Sequence, residues 1–286
     1  MYHRITLLTN PDRCNLACPL CFLKQKGKAM GLGEMSRSTL QKSLKILSSA
    51  SLQEIIPSTM GEPLLYPYFE DLLEISRQLN AKINLTTNGS FPLGVDYWKT
   101  KLLLHCSDIK VSMMGLSSET NELLMLGQNQ KEYLQNIQAL IQEQKRLRAL
   151  HQKVASVTLQ VTVCKKNQDE LEDILDYAQE KKIQRVKFNK AVFLSTSSAE
   201  FLDEYALDDS PTASWRFTAQ KLKQKAKIPI SGTLLQNRST KSQQDCPFSK
   251  EIWVLPNGDL QKCPNPENRF GDPSSATASC ANCPCL

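Results

Sequence analysis

Three cysteines near the start of the chain, Cys14, Cys18 and Cys21, are spaced C-x3-C-x2-C directly after an apolar run. Thiolates this close converge on a metal, because a disulfide needs only two and an inert core cysteine needs no neighbours. On a helix, positions i, i+4 and i+7 share a face but spread over about 10 Å at 1.5 Å per residue, too far for one compact centre. A loop is therefore expected over Cys14–Cys21, and Pro19 agrees because proline disrupts a helix interior. Structural zinc sites close with four ligands, yet no histidine or cysteine follows Cys21 before His105. Iron–sulfur clusters are normally held by four cysteines. Three would leave one iron open, and an open position is where a metal site does chemistry rather than only holding structure.

The tail carries a second cysteine set. Cys246 precedes Glu251-Ile252-Trp253-Val254-Leu255, the turn Pro256-Asn257-Gly258-Asp259 and Leu260-Gln261-Lys262-Cys263. That is a hairpin with Asn-Gly at its turn and a cysteine at each end. Cys280, Cys283 and Cys285 follow. Paired cysteines on a hairpin also describe a zinc ribbon. Cys164 and Cys106 read as core thiols, Cys164 standing where a strand ends and a hydrogen-atom donor would be useful. His3, His105 and His151 have no triad-like or ligand-like company.

The elements that must position these residues alternate between two periods. Strand patterns cover 5–9, 53–58, 81–86, 108–113, 156–163 and 185–189, with helical patterns over 36–50, 68–79, 96–105, 130–151 and 168–181. Alternating βα units imply a parallel sheet with right-handed crossovers, and six of them suggest an incomplete, TIM-like (β/α)6 barrel. Chemistry in parallel barrels sits at the C-terminal strand ends, and the three-cysteine loop follows the first strand. In the fifth strand Gln160 and Thr162 share a face. Residues 192–244 change character, with a serine-rich run, an acidic patch and a basic amphipathic stretch from Trp215 to Lys227, and are expected to be a connector whose helix packs across the barrel mouth. The glycines and lysines of 22–33 read first as a plain solvated loop, and second as a mobile one able to close over an anionic substrate. The chain thus divides into a barrel over 1–191, a connector over 192–244 and a cysteine-rich hairpin domain over 245–286.

With 286 residues and 41% hydrophobic composition, one large domain and a small appendage are affordable. No stretch approaches eighteen consecutive apolar residues, and the first residues open into a strand-like run without a signal peptide. The expectation is a cytoplasmic protein without a membrane partner, its cysteines committed to metal in a reducing compartment.

C-x3-C-x2-C after the first strand resembles the radical S-adenosylmethionine (radical SAM) superfamily. The resemblance implies a partial barrel over residues 1–191 and a [4Fe–4S] cluster on Cys14, Cys18 and Cys21 whose open iron binds SAM. The reduced cluster cleaves SAM to methionine and a 5′-deoxyadenosyl radical that takes a hydrogen atom from substrate. Leu20 stands where the family often carries an aromatic, and Phe22 would partly serve. Thr59-Met60-Gly61-Glu62-Pro63 resembles the family's GGEP motif with Met60 in place of its first glycine, so Gly61, Glu62 and Pro63 would hold the SAM amino group. Thr86-Thr87-Asn88-Gly89 resembles its T-N-G turn and gives Asn88 a place at the site. Ser112-Met113-Met114-Gly115 resembles its S-x-D-G, with Ser112 reaching the SAM ribose or carboxylate, and Gln160 would touch SAM and substrate. C-x11-G-x4-C followed by C-x2-C resembles the twitch domain, a shortened SPASM extension. That implies an auxiliary [4Fe–4S] cluster on Cys246, Cys263, Cys280 and Cys283, with Cys285 as the substitute for Cys283. Two such clusters would lower the formal charge of +6 to roughly +3, a balance that requires no nucleic-acid partner.

An auxiliary cluster suits a reaction in which an electron enters or leaves. The first expectation is a dehydrogenase or epimerase acting on a small polar metabolite, with flavodoxin or ferredoxin as reductant. A modifier of a peptide, protein or nucleobase is the second. A non-catalytic electron-transfer protein is the third, and the G-E-P and S-x-M-G elements speak against it because a cluster carrier needs no SAM pocket.

Overall fold

The computed structural model describes residues 3–25, 27, 31–47, 52–57, 60–194, 196–236 and 251–261. Cys246, Cys263, Cys280, Cys283 and Cys285 lie outside the described residues, and with them the ligand set of the auxiliary cluster.

The strands are β1 (Arg4–Leu7), β2 (Glu54–Pro57), β3 (Lys82–Thr87), β4 (Cys106–Met113), β5 (Ser156–Val163), β6 (Arg185–Lys190), β7 (Ile230–Ser231), β8 (Glu251–Val254) and β9 (Leu260–Gln261). They form one sheet in the order β7-β6-β5-β4-β3-β2-β1-β8-β9. All neighbours pair parallel except β8 with β9. The helices are α1 (Phe22–Gln25), α2 (Arg37–Leu47), α3 (Phe69–Gln78), α4 (Val95–His105), α5 (Ser118–Leu124), α6 (Gln130–Ala149), α7 (Leu171–Glu180), α8 (Ala199–Tyr205) and α9 (Ser214–Lys225). Parallel neighbours require a crossover, and each connection along β1–β7 supplies at least one helix. The result is the expected α/β partial barrel.

Side-chain alternation decides which face of the sheet the helices cover. Ile83, Leu85, Ile109, Val111, Leu159, Val161, Val186 and Phe188 are buried in one core with helix residues such as Leu72, Leu140, Ile174 and Leu175. The longer helices offer an apolar stripe to this core, as Leu171, Ile174, Leu175 and Ala178 do at i, i+3, i+4 and i+7 in α7. Burying one such side chain contributes about 1.5–3 kcal/mol. The strand residues between these, Asn84, Thr86, Lys110, Ser112, Gln160, Thr162 and Lys187, turn to the other, inner face and stay half-buried.

Two expectations change. The helix of the basic stretch does not cross the barrel mouth. α9 buries Trp215, Ala219 and Leu222 in the outer core and directs Lys221 and Lys225 to Glu172 and Asp176 of α7, so it is the outer helix between β6 and β7. The short α8 takes the place near the mouth: Tyr205 and Phe201 pack with Leu20 of the cysteine loop and Cys164. The tail hairpin forms as β8 and β9, but β8 also pairs parallel with β1 over Arg4–Leu7, joining the barrel sheet.

Candidate active site

The first strand ends at Leu7, and Cys14–Cys21 runs as irregular backbone before α1, as Pro19 requires. The loops following β2, β3, β4 and β6 hold this segment.

The β2 loop is the closest clamp. Glu62 N–H donates to the Arg13 carbonyl at 2.9 Å, and Asn10 Nδ2 donates to the Glu62 carbonyl at 2.8 Å. Gly61 lies between them at φ 71°, and a Cβ there would stand 2.2 Å from the Asn10 carbonyl oxygen and 2.7 Å from that of Arg13. Only glycine allows both the left-handed backbone and this contact. The Glu62 side chain then reaches β3: its carboxylate accepts from Asn88 N–H at 2.7 Å, Thr87 Oγ1 at 2.8 Å and Leu64 N–H at 3.2 Å. Asn88 Nδ2 in turn donates to Asn15 Oδ1 at 2.9 Å and faces Cys14 Sγ at 3.8 Å. A chain of contacts therefore runs from Gly61 through Glu62 and Asn88 to the first cysteine.

The remaining clamps come from later loops. Ala17 N–H donates to the Leu126 carbonyl at 2.9 Å, and Gln128 Nε2 donates to the Asn88 carbonyl at 3.0 Å, which fixes the α5–α6 turn to the cysteine loop. Gln25 Nε2 donates to the Leu20 and Val192 carbonyls at 3.0 and 3.1 Å and ties α1 to the segment after β6. Asn167, buried after β5, donates to the Met114 and Thr162 carbonyls at 2.6 and 2.9 Å and aligns the ends of β4 and β5.

Two apolar clusters flank the loop. Leu20 packs with Leu124, Cys164 and Tyr205, whereas Phe22 packs against Met60, Leu8 and Trp253. Leu20, Phe22 and Met60 thus all contribute packing beneath or beside the cysteine loop. Pro63 is buried at the first position of a helical turn, where a missing N–H costs nothing. Ser112 and Gln160 occupy adjacent positions of β4 and β5 on the inner face. The Ser112 carbonyl accepts from Tyr133 Oη at 2.6 Å. Cys164 is fully buried and Cys106 lies at the start of β4, away from the C-terminal strand ends, as core thiols do.

Burial pushes the Cys18 thiol up to about 12, and the neighbouring Cys14 and Cys21 add to the shift. Burial also raises Cys14, against a hydrogen bond from Leu16 N–H. Thiols such as Cys14 and Cys18, whose ionisation burial discourages, are ready to give up their protons to a cationic centre that takes the charge. Soft sulfur donors without nearby imidazole suit iron and sulfide. On donor chemistry, Cys14, Cys18 and Cys21 fit a [4Fe–4S] cluster, and the half-buried inner-face polar groups below them fit a polar ligand such as SAM.

Glu62 gives a pH signature. Burial pushes its carboxyl up from 4.5 to about 7, outweighing the donors Asn88, Thr87 and Leu64. A raised acid stabilises the fold below its unfolded pKa, and this contribution is lost as pH climbs through the folded value. The cluster-free protein is expected to lose about 3 kcal/mol from this group between pH 5 and pH 8. Urea unfolding at the two pH values should show a distinctly smaller difference for Glu62→Gln. An equal difference in both proteins would remove Glu62 as its source.

Sequence reasoning singled out the cysteines, the G-E-P turn and Asn88; the structure links Glu62 and Asn88 to Arg13 and Cys14, while among the described residues no three His, Cys, Asp or Glu side chains stand grouped as for a metal ion. Sequence reasoning missed Asn10, Asn15, Thr87, Gln25, Gln128 and Asn167. No spacing signals them, since each acts by bonding to backbone of a distant loop.

The model of the radical SAM superfamily matches residues 11–178, more than half of the chain. An S-adenosylmethionine-dependent nucleotide dehydratase of Thermoplasmatales archaeon (strain ISO4-H5) is 22% identical over 208 residues, covering 71% of this chain and 68% of that protein. Streptococcus suis SuiB bound to precursor peptide SuiA superposes with a TM-score of 0.67 at 15% identity over 95% of this chain. This chain spans 61% of SuiB. Native anSMEcpe with bound AdoMet and Cp18Cys peptide gives 0.61 at 16% identity, over 91% of this chain and 74% of that one. These structures share the fold, and no described helix is long and apolar enough to cross a membrane. A three-cysteine loop clamped at the mouth of a parallel partial barrel, together with the match over residues 11–178, places the chain in the radical SAM superfamily.

Proposed function

We propose that this radical SAM enzyme abstracts a hydrogen atom from a small polar metabolite held on the inner face of the barrel, leading to dehydrogenation or epimerisation. The observation that carries the reading is the composition of that face. Parallel barrels normally fill their interior with branched apolar side chains. Here Asn84, Thr86, Lys110, Ser112, Gln160, Thr162 and Lys187 stand half-buried instead, below the cysteine loop. Such a lining welcomes a hydroxyl-, amine- or phosphate-bearing molecule. The nucleotide dehydratase relative, whose name specifies a small polar substrate, supports the same reading.

When bound, the cluster and SAM supply the 5′-deoxyadenosyl radical. The chain supplies position. Cys14, Cys18 and Cys21 hold the cluster; Gly61, Glu62 and Pro63 shape the turn that would meet the SAM amine; Ser112 and Gln160 present polar groups on the same inner face; Asn88 steadies Cys14. Leu20, Phe22 and Met60 would border SAM with apolar surface. Cys246, Cys263, Cys280 and Cys283, or Cys285 for the last, would hold a second cluster that accepts an electron when a carbonyl or imine forms.

Purified anaerobically and reconstituted, the protein should bind about eight irons, the sum of two four-iron clusters. Cys263→Ala should bind about four and still yield 5′-deoxyadenosine with dithionite and SAM. About four irons in the unaltered protein would remove the auxiliary cluster. Failure of a deuterated candidate metabolite to pass deuterium to 5′-deoxyadenosine would exclude that metabolite, and transfer from a bound peptide instead would replace the small-molecule reading.

A further inference from the structure

The inner face carries a charge arrangement that neither the cluster nor the SAM contacts use. Strand register puts Ser112, Gln160 and Lys187 in one row across β4, β5 and β6, with Lys110, Thr158 and Arg185 in the row beneath. Asp108, paired with Ser156, stands one inner-face position earlier on β4. It accepts from Thr158 Oγ1 at 2.8 Å, and Lys110 Nζ and Arg185 Nη1 lie 3.6 and 3.7 Å away. Lys110 also donates to Asn84 Oδ1. Lys187, by contrast, has neither a hydrogen bond nor an ion pair among the described residues. It is within electrostatic reach of Asp108 and Arg185, and Lys110 feels Lys187 in turn.

Lys110, Arg185 and Lys187 thus gather about Asp108, with Glu54 also within electrostatic reach of Lys110, so cations outnumber carboxylates on this half-buried surface. Burial pushes both Lys110 and Lys187 below the ordinary lysine value, with Asp108 opposing the shift in each. Gathering like charges away from bulk water costs free energy unless a counter-charge arrives. The other inner-face carboxylates provide only part of it. Glu251 is committed to Arg4 and Thr6 Oγ1; Glu54 bonds to Asn84 and Ser107, lies 4.0 Å from Arg4 and acts on Lys110, but forms no ion pair with Lys187. A lysine whose only role was to reach solvent would be expected at a strand end, as Arg185 is; Lys187 stands two residues further into β6, beside Gln160.

We propose that Lys187, supported by Lys110, is the binding site for a phosphate group of the substrate. The proposal rests on the reading that substrate occupies the inner face, and it names the substrate class: a small phosphorylated molecule whose anionic group answers the cation-rich patch around Lys187. A phosphate oxygen accepts from the Lys187 ammonium while the remainder of the molecule extends past Gln160 and Ser112 toward the cysteine loop.

Inorganic pyrophosphate is the probe, titrated calorimetrically into the reconstituted protein at fixed ionic strength, together with Lys187→Gln, Lys187→Arg and, as a control on the outer surface, Lys221→Gln. Unaltered protein should bind pyrophosphate, Lys187→Gln should weaken binding tenfold or more, and Lys187→Arg should recover it to within about threefold. Lys221→Gln should match the unaltered protein. SAM affinity, measured in the same proteins, should change less than threefold in Lys187→Gln. Should Lys187→Gln prove unstable, the same loss is expected of Lys110→Gln, and retention of full affinity there overturns the proposal. No binding by the unaltered protein overturns it, as does equal weakening by Lys221→Gln, which would mean diffuse attraction. A parallel loss of SAM affinity in Lys187→Gln also overturns it, by assigning the lysine to the SAM carboxylate. Pyrophosphate binding is read without turnover, so its failure leaves hydrogen abstraction standing, and failed deuterium transfer leaves the anion site standing.

Discussion

Anaerobically reconstituted Cys18→Ala protein is expected to release no measurable 5′-deoxyadenosine from SAM under dithionite, a loss of at least about 1,000-fold, or roughly 4 kcal/mol of barrel-supplied barrier lowering. Burial and both neighbouring cysteines act together on the half-buried Cys18 thiol, which stands between them in the loop. Without its sulfur, two thiolates remain for a centre that needs three. Packing of the surrounding apolar clusters does not involve Cys18, so the fold should survive and circular dichroism should be unchanged. Chromatographic quantitation of 5′-deoxyadenosine decides the matter. Cleavage within tenfold of the unaltered enzyme would remove Cys18 from the ligand set.

The second large effect is expected at a position with no chemistry of its own. Gly61→Ala puts a methyl group 2.2 Å from the Asn10 carbonyl oxygen and 2.7 Å from the Arg13 carbonyl oxygen. Both obstacles are backbone, so no side chain can swing away. The left-handed backbone at Gly61 adds about 1–2 kcal/mol for any residue with a Cβ. Relief requires the Asn10–Arg13 segment to withdraw, which breaks the Glu62 to Arg13 and Asn10 to Glu62 hydrogen bonds and displaces Cys14. Iron incorporation at the first site should fall at least fivefold, with a loss of several degrees in Tm. The ratio of iron to protein after reconstitution, compared with Gly94→Ala, gives the test, because a Cβ at Gly94 meets nothing within 4 Å at a similar positive φ. Equal iron content in the two variants would show that backbone strain alone, and not the contact with the cysteine loop, matters at Gly61.

These expectations draw unevenly on what the sequence displays. The cysteine loop was legible because three thiols at short spacing have few other uses. The six barrel strands were legible because their outward residues are apolar at every second position, and α6 was found within two residues of its observed end. The seven-residue α5 and α8 escaped because two turns are too short for a 3.6-residue period to stand out. For α9, the stripe of Trp215, Ala219 and Leu222 announced a buried face but not the surface that buries it. The pairing of β8 with β1 joins residues about 247 positions apart, and nothing local encodes such a partner. The inner-face charges were visible as letters, yet only strand register shows that Lys110, Arg185 and Lys187 gather about Asp108.

That distant pairing also bears on how the molecule comes together. β1 lies between β2 and β8, so one row of its backbone amides and carbonyls has no strand partner until Glu251–Val254 has been synthesised. The strand that leads into the cysteine loop is thus completed by a segment synthesised long after it. Loop closure over such a span is slow compared with local helix formation. A nascent chain would carry most of its helices before its first strand is locked, which makes assembly of the metal centre a late event in maturation and leaves an open edge available to chaperones or to stray partners in the interval.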